Sequence, residues 1–201
     1  MVQLEVETKV KLDKSEVADL RRRILKIAKF NKKKNKSDDY FAIPLSGRGI
    51  IKRYPKKAFR IRDDGDSYVV NFKKWLRKYW TNAIVIKEEF EFETKNPKKF
   101  LALMTDLGFK QWLKKFKISE SYTYNKNKKV NIEINKVRHL GYFMEIEYIA
   151  SKAELKKAIR MLENILRELG IEPDDVQNKG YTKMLWDKGI KDKKHFIKVN
   201  F

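Results

Sequence analysis

Glu5 and Glu7 stand two residues apart in a stretch, Leu4 to Leu12, that alternates apolar and polar residues, and Lys9 and Lys11 follow in the same phase. Alternation with period two is the pattern of a strand with one wet and one dry face. The two carboxylates therefore project to the same side, separated by the rise of two residues, roughly 6–7 Å. Paired carboxylates on a rigid strand suit a hard divalent cation, and lysines beside such a cation suit a polyphosphate. The chain has no cysteine and only two histidines, His139 and His195, which excludes disulfides, thiolate chemistry and a zinc site built on cysteine. A metal is therefore expected to be oxygen-ligated Mg2+ or Mn2+. The bland reading of the same residues is the solvated face of an ordinary strand.

The whole chain must supply the elements that position such a face. Its 201 residues suit one domain, placed at residues 1–190, followed by a basic tail over 191–201. A formal charge of +21 calls for an anionic partner, with nucleic acid and polyphosphate as the candidates. No stretch approaches the length of a membrane span, and strand pattern begins at once where a signal peptide would stand, so a cytoplasmic protein without membrane contact is expected. Abundant lysine and glutamate without cysteine also fit a thermophile's cytosolic protein.

After the first strand, Asp13-Lys14-Ser15-Glu16 reads as a helix start with Glu16 in the capping-box position, and the helix runs through Val17, Leu20, Ile24 and Ile27. The run Asn31 to Ser37 reads as a basic, solvated loop. A short strand then begins at Asp39 and is ended by Pro44, and residues 45–57, with Gly47, Gly49 and Pro55, form a long connection suited to movement. Phe59 to Arg62 and Tyr68 to Lys73 alternate on either side of the hairpin turn Asp63-Asp64-Gly65-Asp66. A further strand covers Ala83 to Glu93. Asn96-Pro97 opens a helix that ends at Gly108, strands follow near Gln111 to Tyr124, Val130 to Asn135 and Tyr142 to Tyr148, and Ser151 with Glu154 opens a long amphipathic helix closed by Gly170. Short helices are expected around Asp174 and over Tyr181 to Trp186.

Roughly eight strands with few intervening helices argue for an antiparallel sheet closed into a barrel. The polar faces are sorted by sign. Glu5 and Glu7, the set Glu89, Glu91 and Glu93, and Glu145 with Glu147 are acidic, whereas Arg60 with Arg62 and Lys115 with Lys117 are basic. Faces left to solvent more often mix the signs. Turned inward, these faces would line a tunnel, tolerable only with water, metal and a polyanion inside. Turned outward, they would leave Leu4, Val6, Phe59, Ile61, Phe90, Phe92, Ile132 and Ile146 as the barrel core. Composition alone leaves both orientations open.

Further landmarks follow in order: Asp39-Tyr40-Phe41 with Pro44, Arg60-Ile61-Arg62, Asn71-Phe72-Lys73, Lys87-Glu88-Glu89-Phe90-Glu91, Leu107-Gly108-Phe109, Leu140 through Glu147, and Gly180-Tyr181. With Glu5, Glu7 and Lys9 in the spacing Glu-x-Glu-x-Lys, they make the chain resemble the CYTH, or triphosphate tunnel metalloenzyme, superfamily, over about residues 2–186. That group includes class IV adenylyl cyclases, thiamine triphosphatases and inorganic triphosphatases. The resemblance implies an α+β fold, an eight-stranded antiparallel closed β-barrel forming a tunnel, with helices packed outside. It implies metal at Glu5, Glu7, Glu145 and Glu147, with Glu91 contributing, and phosphate binding at Arg60, Arg62, Lys73, Lys87 and Lys117. Lys115, in phase with Lys117, is grouped with them, and Lys9 and Lys73 are the expected catalytic lysines.

Three departures stand out. Where the family pattern carries Lys-x-Arg-x-x-Tyr, this chain has Ser119 in the arginine position, Lys87 replaces a common arginine, and Asn135 replaces an aspartate. The expected function is divalent-metal-dependent hydrolysis of a triphosphate, with inorganic triphosphate foremost and ATP or thiamine triphosphate beside it, by a monomer or homodimer. The alternatives are an adenylyl cyclase making cyclic AMP and a non-enzymatic RNA- or polyphosphate-binding protein with a degenerate tunnel. Trp75, Trp80, Trp112 and Trp186 read as packing or rim residues and His139 as exposed.

Overall fold

A computed structural model describes residues 3–45, 51–63, 65, 67–190 and 193. The strands are β1 (Leu4–Leu12), β2 (Ala28–Ala42), β3 (Phe59–Asp63), β4 (Tyr68–Trp75), β5 (Val85–Thr94), β6 (Lys110–Tyr124), β7 (Val130–Val137) and β8 (Gly141–Ala150). They close into a barrel in the order β1-β5-β4-β3-β2-β6-β7-β8, with every neighbouring pair antiparallel. Among the described residues, four α-helices accompany the barrel: α1 (Val17–Ile27), α2 (Pro97–Asp106), α3 (Leu155–Glu168) and α4 (Tyr181–Asp187).

The helices decide which way the strands face. α3 carries buried Ala158, Leu162, Ile165 and Leu166 at helical spacing, and α1 offers Val17, Leu20 and Ile24. Both stripes pack against Val6, Val10, Ile132, Met144, Ile146 and Tyr148 on the outside of the barrel. α2 starts at Asn96, whose side chain accepts the Lys99 amide, with proline in the first turn. Its Leu101 covers Phe41, Phe59, Ile61 and Val70. Burying each such side chain contributes about 1.5–3 kcal/mol. With the apolar face satisfied outside, period two sends the charged residues inward, and the tunnel orientation is the one adopted.

The expected helices and most strands are present within a few residues of their predicted ends. The largest difference is β2. Residues 31–37, read as a basic loop, belong to this strand, which pairs with β6 from Ala28↔Tyr124 to Ala42↔Lys110. Lysines and asparagines have low strand propensity, but an uninterrupted partner strand overrides it. Bulges at Phe30/Lys32 and Tyr40/Phe41 adjust the register. Gly47 and Gly49 of the predicted connection, Asp64 and Asp66 of the predicted hairpin turn, and His195 with nearly all of the expected basic tail lie outside the described residues. Among those described, no helix is long and apolar enough to cross a membrane.

One end of the barrel is stoppered. The last inward positions there are apolar: Ala42, Leu113, Val137 and Phe143 pack with Tyr181 and Leu185 of α4, and with Tyr40, Tyr54 and Trp186. Trp112 stands 5.6 Å from both Tyr54 and Trp186, edge to face. Trp75 and Trp80 pair at 5.2 Å elsewhere on the rim. The four tryptophans are thus packing residues, as expected.

Candidate functional site

The tunnel wall is a connected set of opposite charges. β1 supplies Glu5, Glu7 and Lys9, and its register places Glu5 beside Lys87 of β5 and Glu7 beside Glu147 of β8. Glu5, 1% exposed, receives ion pairs from Lys73 and, at 3.0 Å, from Lys87. Lys87 also pairs with Glu7, and Lys9 lies 3.9 Å from Glu7. Burial pushes the Glu5 carboxyl up, but Lys73 and Lys87 outweigh it and hold the group well below the ordinary range. Burial raises Glu7, with Lys87 offsetting only part of the effect.

One carboxylate oxygen from each of Glu5, Glu89 and Glu147 lies within 4.8 Å of the others. Three buried or half-buried carboxylates facing one point form an all-oxygen donor set suited to Mg2+ or Mn2+. Burial first, and then the charges of Glu5 and Glu89, push the Glu147 carboxyl up to about 8. Two of the five glutamates expected to hold metal, Glu5 and Glu147, are in this trio. Glu7 and Glu145 face the same interior but stand outside it. Glu91 is exposed and accepts from the Asn71 amide, at 3.4 Å. Glu89, noticed in sequence only as one member of an acidic strand face, is the unexpected third member. It receives the Asn71 amide as well as Lys73, which lies at 3.1 Å.

The basic side is organised by two acids that sequence reasoning did not single out. Asp38, fully buried, accepts two bonds from Arg62, at 2.7 and 3.1 Å. It also pairs with Lys115 at 2.8 Å and with Arg60 at 3.8 Å. Despite its burial, Arg62, Lys115 and Arg60 hold its carboxyl well below the ordinary range. Glu133 accepts from Lys117 at 2.9 Å and from Lys36 at 2.7 Å. Reading residues 31–37 as a loop concealed that Lys36, Asp38 and Tyr40 share one inward phase. All the expected phosphate-binding cations, Arg60, Arg62, Lys73, Lys87, Lys115 and Lys117, line this interior, as does Lys9.

Two departures from the family pattern meet each other. The Ser119 hydroxyl donates to the Asn135 side-chain oxygen at 2.5 Å, and the Asn135 amide donates to Glu145 at 2.8 Å. The arginine and the aspartate are therefore absent together, replaced by a neutral hydrogen-bonded pair that leaves no charge unpaired.

Lys115 is a cation held well below its ordinary range. Burial pulls it down to about 8, against Asp38 and with the help of Lys117, Arg62 and Arg60. Tyr40 and Tyr181, whose rings lie 5.7 and 5.1 Å away, remain neutral hydroxyls. In the ligand-free tunnel Lys115 is charged below this value and neutral above it. Triphosphate affinity is expected to fall several-fold from pH 7 to pH 9, and Lys115→Met should flatten the profile; calorimetric titration over that range measures both.

The chain is thus a closed barrel whose interior is lined by charged side chains, with an acidic trio among them. The CYTH domain model matches residues 3–181, and the chain belongs to that family. The PH1819 protein of Pyrococcus horikoshii is 27% identical, with 92% of this chain and 99% of that one covered and a TM-score of 0.71. The PH1012 protein of the same organism is 27% identical, covering 88% and 96%, with a TM-score of 0.70. HpAC1 from Hippeastrum, a protein in which triphosphatase activity is dominant, is 16% identical, covering 97% and 100%, with a TM-score of 0.63, and shows likeness of fold alone. No curated protein matches the chain significantly.

Proposed function

We propose that the protein is a divalent-metal-dependent triphosphatase acting on inorganic triphosphate. The observation that carries this reading is the division of one tunnel into an acidic trio, Glu5, Glu89 and Glu147, and a facing set of cations. The dominant triphosphatase activity of HpAC1, a fold relative, is consistent with it. Glu5, Glu89 and Glu147 would hold Mg2+ or Mn2+, which when bound neutralises phosphate charge and lowers the pKa of coordinated water.

The chain's own cations do the remaining work. Arg60 and Arg62, fixed through Asp38, present planar guanidiniums to phosphate oxygens. Lys115 and Lys117 add point charges on the same wall, and Lys73 and Lys87 stand between the phosphate side and Glu5. Lys9, whose ammonium lies 4.6 Å from the Tyr181 ring centre and 3.9 Å from Glu7, is held to meet a terminal phosphate oxygen. Preorganised charge of this kind lowers the barrier to attack by water at the end phosphorus, with orthophosphate as product.

Phosphate release from inorganic triphosphate, ATP and thiamine triphosphate, with each metal and with chelator, tests the reading. Metal-dependent release, fastest from inorganic triphosphate, is expected. Cyclic AMP as the product from ATP, or no turnover with any of the three, would overturn it.

A further inference from the structure

Beyond the charge network, β2 continues past the end of its pairing with β3, which covers only Ser37 to Phe41. On this extension Lys32 and Lys34 continue the inward phase of Lys36, with β6 facing them. The register repeats itself: Lys32 lies opposite Ser121, Lys34 opposite Ser119 and Lys36 opposite Lys117. Lys32, Lys34, Lys36, Ser119, Ser121, Asn131 and Glu133 line a cavity of about 240 Å³ at the end of the barrel away from the α4 stopper. Lys36 ties it to the interior, because the carboxylate that holds Lys36 also holds Lys117. The small side chains Ser119 and Ser121 leave the groove its width.

We propose that this lysine ladder is a second binding site, which takes the tail of a linear polyphosphate longer than three phosphates while its end occupies the tunnel. The inference rests on the triphosphatase reading for its reaction: water adds to the terminal phosphorus, the bridging P–O bond breaks, and orthophosphate leaves a chain shorter by one. The binding argument stands on the ladder itself. An ammonium or hydroxyl recurs at each two-residue step, roughly 6–7 Å, which suits a ligand whose every unit carries the same negative charge. Among the described residues, no aromatic side chain lines the cavity, so single-stranded nucleic acid would find no stacking platform for its bases there. A base-free polyanion is the better fit.

The test measures binding in chelator, where turnover cannot interfere, of inorganic triphosphate, medium-chain polyphosphate and a 5′-triphosphate oligoribonucleotide. The proteins are wild type, Lys32→Ala/Lys34→Ala, and the charge-matched control Lys156→Ala/Lys157→Ala on the exposed side of α3. Polyphosphate is expected to bind wild type about tenfold more tightly than triphosphate, and the ladder variant to lose that margin, as two charge-assisted contacts warrant. The ladder variant should bind triphosphate as before, and the control should match wild type throughout. Equal affinity of wild type for the two chain lengths, equal weakening by ladder and control variants, or a ladder effect confined to the oligoribonucleotide would each overturn the proposal. Ladder-dependent polyphosphate binding by a protein that turns over no triphosphate would uphold the site and overturn only the triphosphatase reading.

Discussion

Glu147→Gln is expected to lower metal-dependent triphosphate turnover by about 100-fold or more while leaving the metal-free protein at least as stable as wild type. Loss of a ligand to the reacting metal, or of its geometry, removes charge stabilisation where the reaction needs it. The stability half of the expectation comes from the crowding of three carboxylates around one point. Lys73, paired with Glu5 and Glu89, offsets only part of their repulsion, and Glu147, raised to about 8, is largely protonated at neutral pH. Glutamine has nearly the shape of the protonated acid, so the fold loses little by the exchange. Thermal unfolding in chelator should give an unchanged or higher midpoint for Glu147→Gln, and added Mn2+ should raise the midpoint of wild type only. A fall in the chelated midpoint accompanying the activity loss would mean that Glu147 is a structural ion-pair member and not a metal ligand.

Asp38→Asn is expected to act in the opposite way, through stability first. Asp38 is the shared counterion of Arg62, Lys115 and Arg60 and has no exposed surface. Its removal leaves three cations facing one another, and breaking a buried pair on one side costs about 3–5 kcal/mol. For a chain of this size that corresponds to a fall in midpoint of roughly 10 °C. Because the folded-state pKa of Asp38 is depressed, its contribution is fully present above the unfolded value near 4 and is lost only in strong acid. The Asp38 carboxylate thus stays ionised at neutral pH, and the deficit of the variant should be present there. A bound polyanion supplies the missing negative charge, so inorganic triphosphate in chelator should restore much of the midpoint. Failure of triphosphate to rescue the variant would remove Arg60, Arg62 and Lys115 from the proposed phosphate side.

Much of this organisation was legible in period-two patterns. The phases of Glu5/Glu7, Arg60/Arg62, Lys115/Lys117 and Glu145/Glu147 were visible without coordinates, because a strand fixes the side to which each residue points. The level at which each residue meets its neighbours was not visible, since it depends on the stagger between strands as the barrel closes. Glu89 and Glu91 share a phase, yet Glu89 reaches Glu5 and Glu147 while Glu91 stays at the rim. Asp38 was hidden for another reason. The lysine-rich run before it lacks the β-branched and aromatic residues that mark a strand, so the phase that carries it inward could not be followed. Ser119 and Asn135 were recognised as losses one at a time, and only their contact shows that they compensate each other.

The aromatic stopper built by Trp112, Tyr54, Trp186 and Tyr181 makes the bore a blind alley. Traffic in such a vessel is last in, first out. If the protein cleaves triphosphate as proposed, a phosphate freed at the inner end would be walled in behind the remainder of its parent chain, which would have to back out before the fragment could follow. Successive cuts on one long chain would therefore be separated by full departures, a distributive rhythm imposed by a handful of rings at the closed end.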